Sequence, residues 1–210
     1  MKIVSLITAR GGSKGIPNKN ILEINDIPLI EYTITSSKKS NVNETWVSTD
    51  CENVSTISNN AGANIIDRPS ELSNDIIMPD AALVHFAENV DFDILVFIQP
   101  TSPLLSHHYI NRGLTMMGKY DSVFSAYKEH WLPRWDLDGT PIDWDINNRP
   151  RRQDVKDVFV ENGAFYITTK KQLLKTKLRY SGNVGICEMP LSESYQLDSI
   201  DDLNILMKLL

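Results

Sequence analysis

Apolar and polar positions alternate through the first half of the chain in a strand–helix rhythm. Lys2 to Thr8 is a short β-branched run that stops at Gly11-Gly12. Pro28 to Ser40 opens with proline at a first helical position and gathers Leu29, Ile30, Tyr32 and Ile34 on one side. Thr45 to Ser48 reads as a strand, and Asp50 is expected to cap a helix running through Val54 and Ile57 to Ala61-Gly62. Asn64 to Ile66 is a third strand. Pro79 to Asn89 turns Ala82, Leu83, Phe86 and Ala87 inward as a helix. Phe92 to Gln99 is the strongest strand, because Ile94 to Ile98 is apolar at every position, as a strand covered on both faces must be. A helix from His107 to Met117 and a strand from Ser122 to Ala126 follow.

The rhythm then breaks. Residues 128–158 carry Trp131, Pro133, Trp135, Gly139, Pro141, Trp144 and Pro150 with no helical period. Three tryptophans want apolar cover, so this region reads as an inserted hairpin arm, covered by this chain or by a partner. The α/β pattern resumes with a strand at Ala164 to Thr168, a short helix at Lys170 to Thr176 and a strand at Val184 to Met189. A short strand is expected at Tyr195-Gln196-Leu197 and a last helix at Ile200 to Leu209. The whole predicts one α/β domain over residues 1–210, a doubly wound and mostly parallel sheet. Ligands in such sheets sit beyond the carboxyl ends of the strands, so the loops there are the place to look for chemistry.

Composition narrows the classes. The chain has 210 residues, enough to bury a core without staples. Its 21 Lys+Arg against 27 Asp+Glu give a net charge of −6, which argues against a nucleic-acid or anionic-membrane partner but leaves room for a local basic site. Cys51 and Cys187 lie far apart, in no metal-ligand spacing, and read as reduced thiols. No apolar run reaches about 18 residues, the length of a membrane span. The run Ile3 to Ile7 is followed by Arg10 with no cleavage pattern, so it reads as a buried strand rather than a signal peptide. The expected compartment is the cytoplasm.

The first loop, Ala9-Arg10-Gly11-Gly12-Ser13-Lys14-Gly15-Ile16-Pro17-Asn18-Lys19-Asn20, is the most informative stretch. Arg10, Lys14 and Lys19 bring cations close together. Glycines such as Gly12 let backbone amides approach a ligand, and Ser13 and Asn20 add donors. This composition after a strand suits a polyphosphate; the alternative is a basic surface loop. Neither the P-loop pattern nor the Gly-x-Gly-x-x-Gly fingerprint is present.

The same loop resembles the start of the acylneuraminate cytidylyltransferases, which activate sialic acids as CMP-sugars. The resemblance runs on through Val47-Ser48-Thr49-Asp50, through Asp67-Arg68-Pro69 with Glu71-Leu72 and Asp75, through Gln99-Pro100-Thr101-Ser102-Pro103-Leu104, and through Asn162-Gly163-Ala164-Phe165-Tyr166-Ile167. It implies a sheet of the nucleotide-diphospho-sugar transferase type and the reaction CTP plus a nonulosonic acid to a CMP-sugar plus diphosphate, for surface glycans. Carried over residue by residue, Arg10, Gly12, Ser13, Lys14, Lys19 and Asn20 would hold the nucleotide and its phosphates. Gln99, Thr101 and Ser102 would face the sugar acid. Arg152, often reaching across a dimer interface in the family, would clamp the sugar carboxylate, with Asn162 and Gly163 on the ligand side. Arg10 and Lys14 would neutralise charge during transfer, and Gln99 would position the attacking hydroxyl. Asp198 would bind Mg2+ (or Mn2+) and take up the hydroxyl proton by way of a water. A homodimer joined by the 128–158 arm is implied.

Three departures stand out. The family ends with an Asp-x-Asp pair for the metal, and this chain has Gln196-Leu197-Asp198. An amide oxygen carries no charge, so metal affinity is expected to fall. Leu105 stands where many members carry arginine, and Ile76-Ile77-Met78-Pro79 replaces a run of small hydroxyl residues. Asp201 and Asp202 read as helix N-terminal charges. A Kdo-type cytidylyltransferase is the near alternative, disfavoured because Thr101 stands where that motif has aspartate. A catalytically weak nucleotide-sugar binder is the other, suggested only by Gln196. Asp91-Phe92-Asp93 mimics a glycosyltransferase Asp-x-Asp but precedes a strand, the wrong end of the sheet. His107-His108 has no metal spacing.

Overall fold

The computed structural model describes residues 1–12, 15–74 and 77–210. β1 (Ile3–Thr8) leads into a small ribbon of β2 (Glu23–Ile24) and β3 (Ile27–Pro28), then α1 (Leu29–Lys39). β4 (Glu44–Thr49), α2 (Glu52–Asn60), β5 (Asn64–Asp67), α3 (Pro79–Asn89), β6 (Ile94–Ile98), α4 (His107–Met116) and β7 (Ser122–Glu129) follow. The hairpin β8 (Arg134–Trp135) and β9 (Pro141–Ile142) precedes β10 (Val158–Thr169), α5 (Lys170–Thr176), β11 (Val184–Glu188) and α6 (Ile200–Leu209).

Seven strands form one sheet in the order β11-β7-β10-β6-β1-β4-β5. Neighbours pair in parallel except around β10, which runs against both β6 and β7. The chain winds outward from β1 through β4 to β5, then crosses back to β6 on the other side of β1. That reversal opens a crevice above the carboxyl ends of β1 and β6, where such sheets take their ligands.

Strand parity explains the two core layers. Ile7 on β1 and Val96 and Ile98 on β6 pack with Ile30 and Ile34 of α1, Val54 of α2 and Ile110 of α4. Val4 and Leu6, offset by one residue, face the other way with Leu95, Phe97 and α3's Leu83 and Phe86. Leu105, at the position where arginine was the comparison, is buried in the first layer. A third cluster, Ile16, Ile24, Leu29, Leu197 and Leu206, ties the end of the first loop to the segment before α6.

Three sequence expectations need correction. Asp50 does not cap α2: Cys51 is the N-cap and makes no side-chain cap bond, while Asp50 Oδ1 accepts from the Gly11 amide at 3.0 Å. Tyr195 to Leu197 forms no strand. The Leu197 amide bonds the Thr101 carbonyl at 2.8 Å, and Leu197 itself is buried, so the segment is fastened without entering the sheet. β10 begins at Val158 rather than Ala164, so Asn162 and Gly163 lie inside a strand, at a register irregularity between Glu161 and Tyr166.

The arm is a hairpin, as its turn residues predict, with Gly139 at a positive φ of 82°. Its tryptophans pack edge-on against one another, Trp135 on Trp144 at 4.8 Å and Trp131 on Trp144 at 6.4 Å. The Arg149 guanidinium lies over Trp131 and Trp144. Trp135, Leu132, Leu137 and Ile146 remain exposed. Among the described residues, no helix is long and apolar enough to cross a membrane. Both cysteines are free, and burial pushes the Cys187 thiol up.

Candidate active site

The crevice holds a cavity of about 510 Å³ lined by Arg10, Lys19, Asn20, Arg68, Gln99 and Asp198 among others. β1 delivers Arg10. Ala9, just before it, is buried and its amide bonds the Ser48 carbonyl at 3.0 Å, which continues the β1–β4 ladder to the edge of the site. Arg10 Nη1 donates to the Ser73 carbonyl at 3.3 Å. Asn20 is buried, and its amide donates to the Arg10 carbonyl at 3.0 Å, so it fixes the loop from behind. Gly11 is the glycine that packing demands: a Cβ there would lie 2.9 Å from Cys51 Cβ. A Cβ on Gly12 would meet nothing within 4 Å. Ser13 and Lys14, and Asp75 of the segment after β5, lie outside the described residues.

Arg68 follows β5 and received no role from the sequence. It is buried at the cavity wall, its Nε donating to Ser48 Oγ at 3.1 Å and Nη2 to the Ser48 carbonyl at 2.9 Å. Burial pulls its pKa down, the Asp50 carboxylate opposes this, and the Arg10 charge adds to the lowering. The two guanidiniums share one crevice, and the Asp50 carboxylate partly offsets the charge at Arg68. Only the Asp-Arg-Pro string hinted at Arg68; its burial depends on β4 and β5 lying side by side.

Lys19 and Asp198 meet across the mouth, Nζ to Oδ1 at 3.0 Å, with Asp198 two-thirds exposed. Asp198 is held from below: Asp202 Oδ2 accepts from the Asp198 amide at 3.0 Å and the Ser199 amide at 2.7 Å, completing a capping box on α6. Burial pushes the Asp202 carboxyl up, but the bonds from Ser199 and the two amides, with the Lys19 charge, leave it below its usual value.

The far wall is polar. Thr101 lines the cavity, and Ser102 is buried behind it. Asn162 is buried with its amide given to Ser194 Oγ at 2.8 Å and its oxygen accepting from the Ala164 amide at 3.2 Å. Gly163 has φ 69°, and a Cβ there would overlap the Gln99 and Gln196 amides. A second cavity of about 440 Å³ shares Asp198 and is lined by Glu161, Gly163, Tyr166, Tyr195 and Gln196. There the Tyr166 hydroxyl donates to Glu161, and its pKa is raised by burial first and by Glu161 next.

Arg152 is not brought to these cavities. It sits exposed on the arm, bonded to His130, and lines a separate hollow with His130 and Trp131. Among the described residues, no group of three or more His, Cys, Asp or Glu is placed to hold a metal. The Asp-x-Asp mimic is structural: Asp93 accepts from the Lys2 amide at 2.6 Å and Asp91 pairs with Lys170 at 3.4 Å, at the amino end of β6. His107 and His108 begin α4 behind the Ser106 cap.

The fold is a mostly parallel α/β sheet with a cationic crevice at its winding reversal. The cytidylyltransferase family model matches residues 4–186, and the chain belongs to that family. It is 36% identical over 207 residues to N-acylneuraminate cytidylyltransferase A of Danio rerio, covering 93% of this chain and 48% of the relative. It is 30% identical over 220 residues to post-translational flagellin modification protein B of Campylobacter coli, covering 97% of this chain and 93% of the relative. The chain thus spans about half the length of the fish cytidylyltransferases it matches. The solved structure of CMP:2-keto-3-deoxy-manno-octonic acid synthetase complexed with CTP superposes with a TM-score of 0.78 at 18% identity, covering 100% of this chain and 98% of that one. This likeness establishes the fold.

Proposed function

We propose that the chain transfers CMP from CTP to a nonulosonic acid of the sialic type, releasing diphosphate. What carries the reading is the convergence of Arg10, Lys19 and Arg68 on one crevice that Gln99 and Thr101 also line. The names of the relatives point the same way. The anomeric hydroxyl oxygen bonds to the α-phosphorus, the bond to the β-phosphate oxygen breaks, and the hydroxyl proton leaves to water or to Asp198. Such transfer needs positioning and charge neutralisation more than covalent help. Arg10 and Arg68 are already fixed by backbone and Ser48 contacts, so little reorganisation accompanies charge build-up on the leaving diphosphate.

Asp198 fits a magnesium ion shared with phosphates: it offers one hard, exposed carboxylate at the mouth, and this ion commonly takes only one or two from protein. Bound there, Mg2+ (or Mn2+) would neutralise phosphate oxygens and polarise the α-phosphate. Gln196 adds no charge to that set. The same reading includes a homodimer, with the arm and Arg152 meeting the neighbouring subunit, and a cytoplasmic place, where CTP is made.

The test is diphosphate release from CTP with a panel of sialic, legionaminic, pseudaminic and Kdo acids. Turnover with one of the nonulosonic acids is expected. Turnover with Kdo alone, or CTP binding without turnover on any acid, would overturn the proposal.

A further inference from the structure

Gln196 stands at the position where the resemblance expects a metal-binding carboxylate, and its side chain is engaged in something else. Its amide nitrogen lies within hydrogen-bond distance of the Asn162 carbonyl, of Ser102 Oγ at 3.2 Å and of Gln99 Oε1 at 3.3 Å, with two hydrogens shared among the three acceptors. A backbone carbonyl has no hydrogen to give, so the end of Gln196 that faces Asn162 must be its NH2. The neighbouring amide follows by complementarity, because two NH2 groups facing each other at that distance would have no acceptor between them. Gln99 turns its oxygen toward Gln196, and its own NH2 is the end left for the crevice that Gln99 lines. The absent side chain at Gly163 makes the arrangement possible, because a Cβ would overlap both amides.

We infer that Gln196 is a positioning residue that locks the Gln99 amide with its N–H donors toward the acid substrate. The inference rests on the cytidylyltransferase reading. A donor-lined wall favours a ligand that presents oxygen acceptors there, as the carboxylate and ring oxygens of a sugar acid do. A carboxylate at position 196 would face three oxygens, and the Gln99 amide would reverse to supply it with a donor. The crevice would then meet the substrate with a carbonyl oxygen.

Steady-state kinetics on the intact protein test this, using CTP and whichever panel acid the wild type turns over fastest. Gln196→Glu keeps the length and removes the donors; Gln196→Met serves if the first variant melts early. The expected result is a KM for the acid raised about tenfold, the scale of one oriented hydrogen bond. The Kd for CTP should stay within about twofold. In a Gln99→Ala background the same substitution should cost less than about threefold, because coupled residues are not additive. Equal costs in both backgrounds, or a fall in kcat with the acid KM unchanged, would overturn the inference while leaving the reaction standing. A wild type that neither binds CTP nor releases diphosphate overturns both.

Discussion

Arg10 shows how one side chain acquires a role from its neighbours. The loop's glycines and cations already suggested a phosphate contact. The structure adds that Arg10 shares its crevice with buried Arg68 and is braced by Asn20 and Ser73. Arg10→Ala should cut turnover about ten- to a hundredfold, for a charged hydrogen bond of about 1.5–3 kcal/mol. Its melting temperature should stay near wild type; near-normal kinetics would remove Arg10 from the phosphate site. Lys14→Ala should behave alike on the strength of the sequence. Asp198 carries a separate expectation. It is the acidic residue among the described ones that line the crevice, so Asp198→Asn should shift the magnesium dependence of the rate to higher concentration and nearly abolish turnover. An unchanged magnesium curve at normal rate would exclude it. These residue types were legible from the loop and the final Asp, whereas Arg68 was not, because charge and burial together are visible only once β5 lies beside β4.

Two elements place the site, and both depend on local chemistry. Within β10, Gly163 takes a positive φ at the register irregularity, where a side chain costs about 1–2 kcal/mol in backbone strain alone. Gly163→Ala also drives a methyl group into the Gln99 and Gln196 amides. It should lower stability by more than that strain and abolish acid binding before CTP binding, which calorimetry with each ligand would separate. At α6, the Ser199–Asp202 box holds both the helix end and the Asp198 amide. Asp202→Ala should lower stability in denaturant melting, because the Ser199 and Asp198 amides lose their acceptor, and reduce magnesium affinity. The folded carboxyl lies below its usual value, so its contribution is complete above the ordinary aspartate range and is lost as pH falls through the folded value. Acid melting of wild type and Asp202→Ala should therefore converge at low pH; a gap that persists there would discard the assignment. Helix spans such as α3 and α6 were readable from the apolar period and, at α6, from the acidic residues of its first turn. The Tyr195–Leu197 strand was misread because a buried Leu197 in a fastened loop shows the same apolar alternation as a strand.

At the scale of the whole molecule, the arm presents an exposed apolar surface at Leu132, Trp135, Leu137 and Ile146. Trp131, Trp135 and Trp144 satisfy one another only edge to edge, and Trp135 stays exposed beside Leu132 and Leu137. Tryptophan and arginine gathered on such a surface favour association. Sedimentation should give a dimer at micromolar concentration, and Trp135→Glu should shift it toward monomer; a stable, active wild-type monomer would refute this. The sequence alone determined the α/β rhythm, the fully apolar β6, the cationic first loop and the hairpin arm, because each is a local pattern of period, turn residues or charge. Only the tertiary structure decided that Asp50 steadies Gly11, that Arg68 is a buried wall of the crevice, that Arg152 lies apart from it within one chain, and that Gln196 faces three oxygens. Each of those depends on contacts between segments distant along the chain, set by the strand order and the reversed β10, which no local pattern encodes.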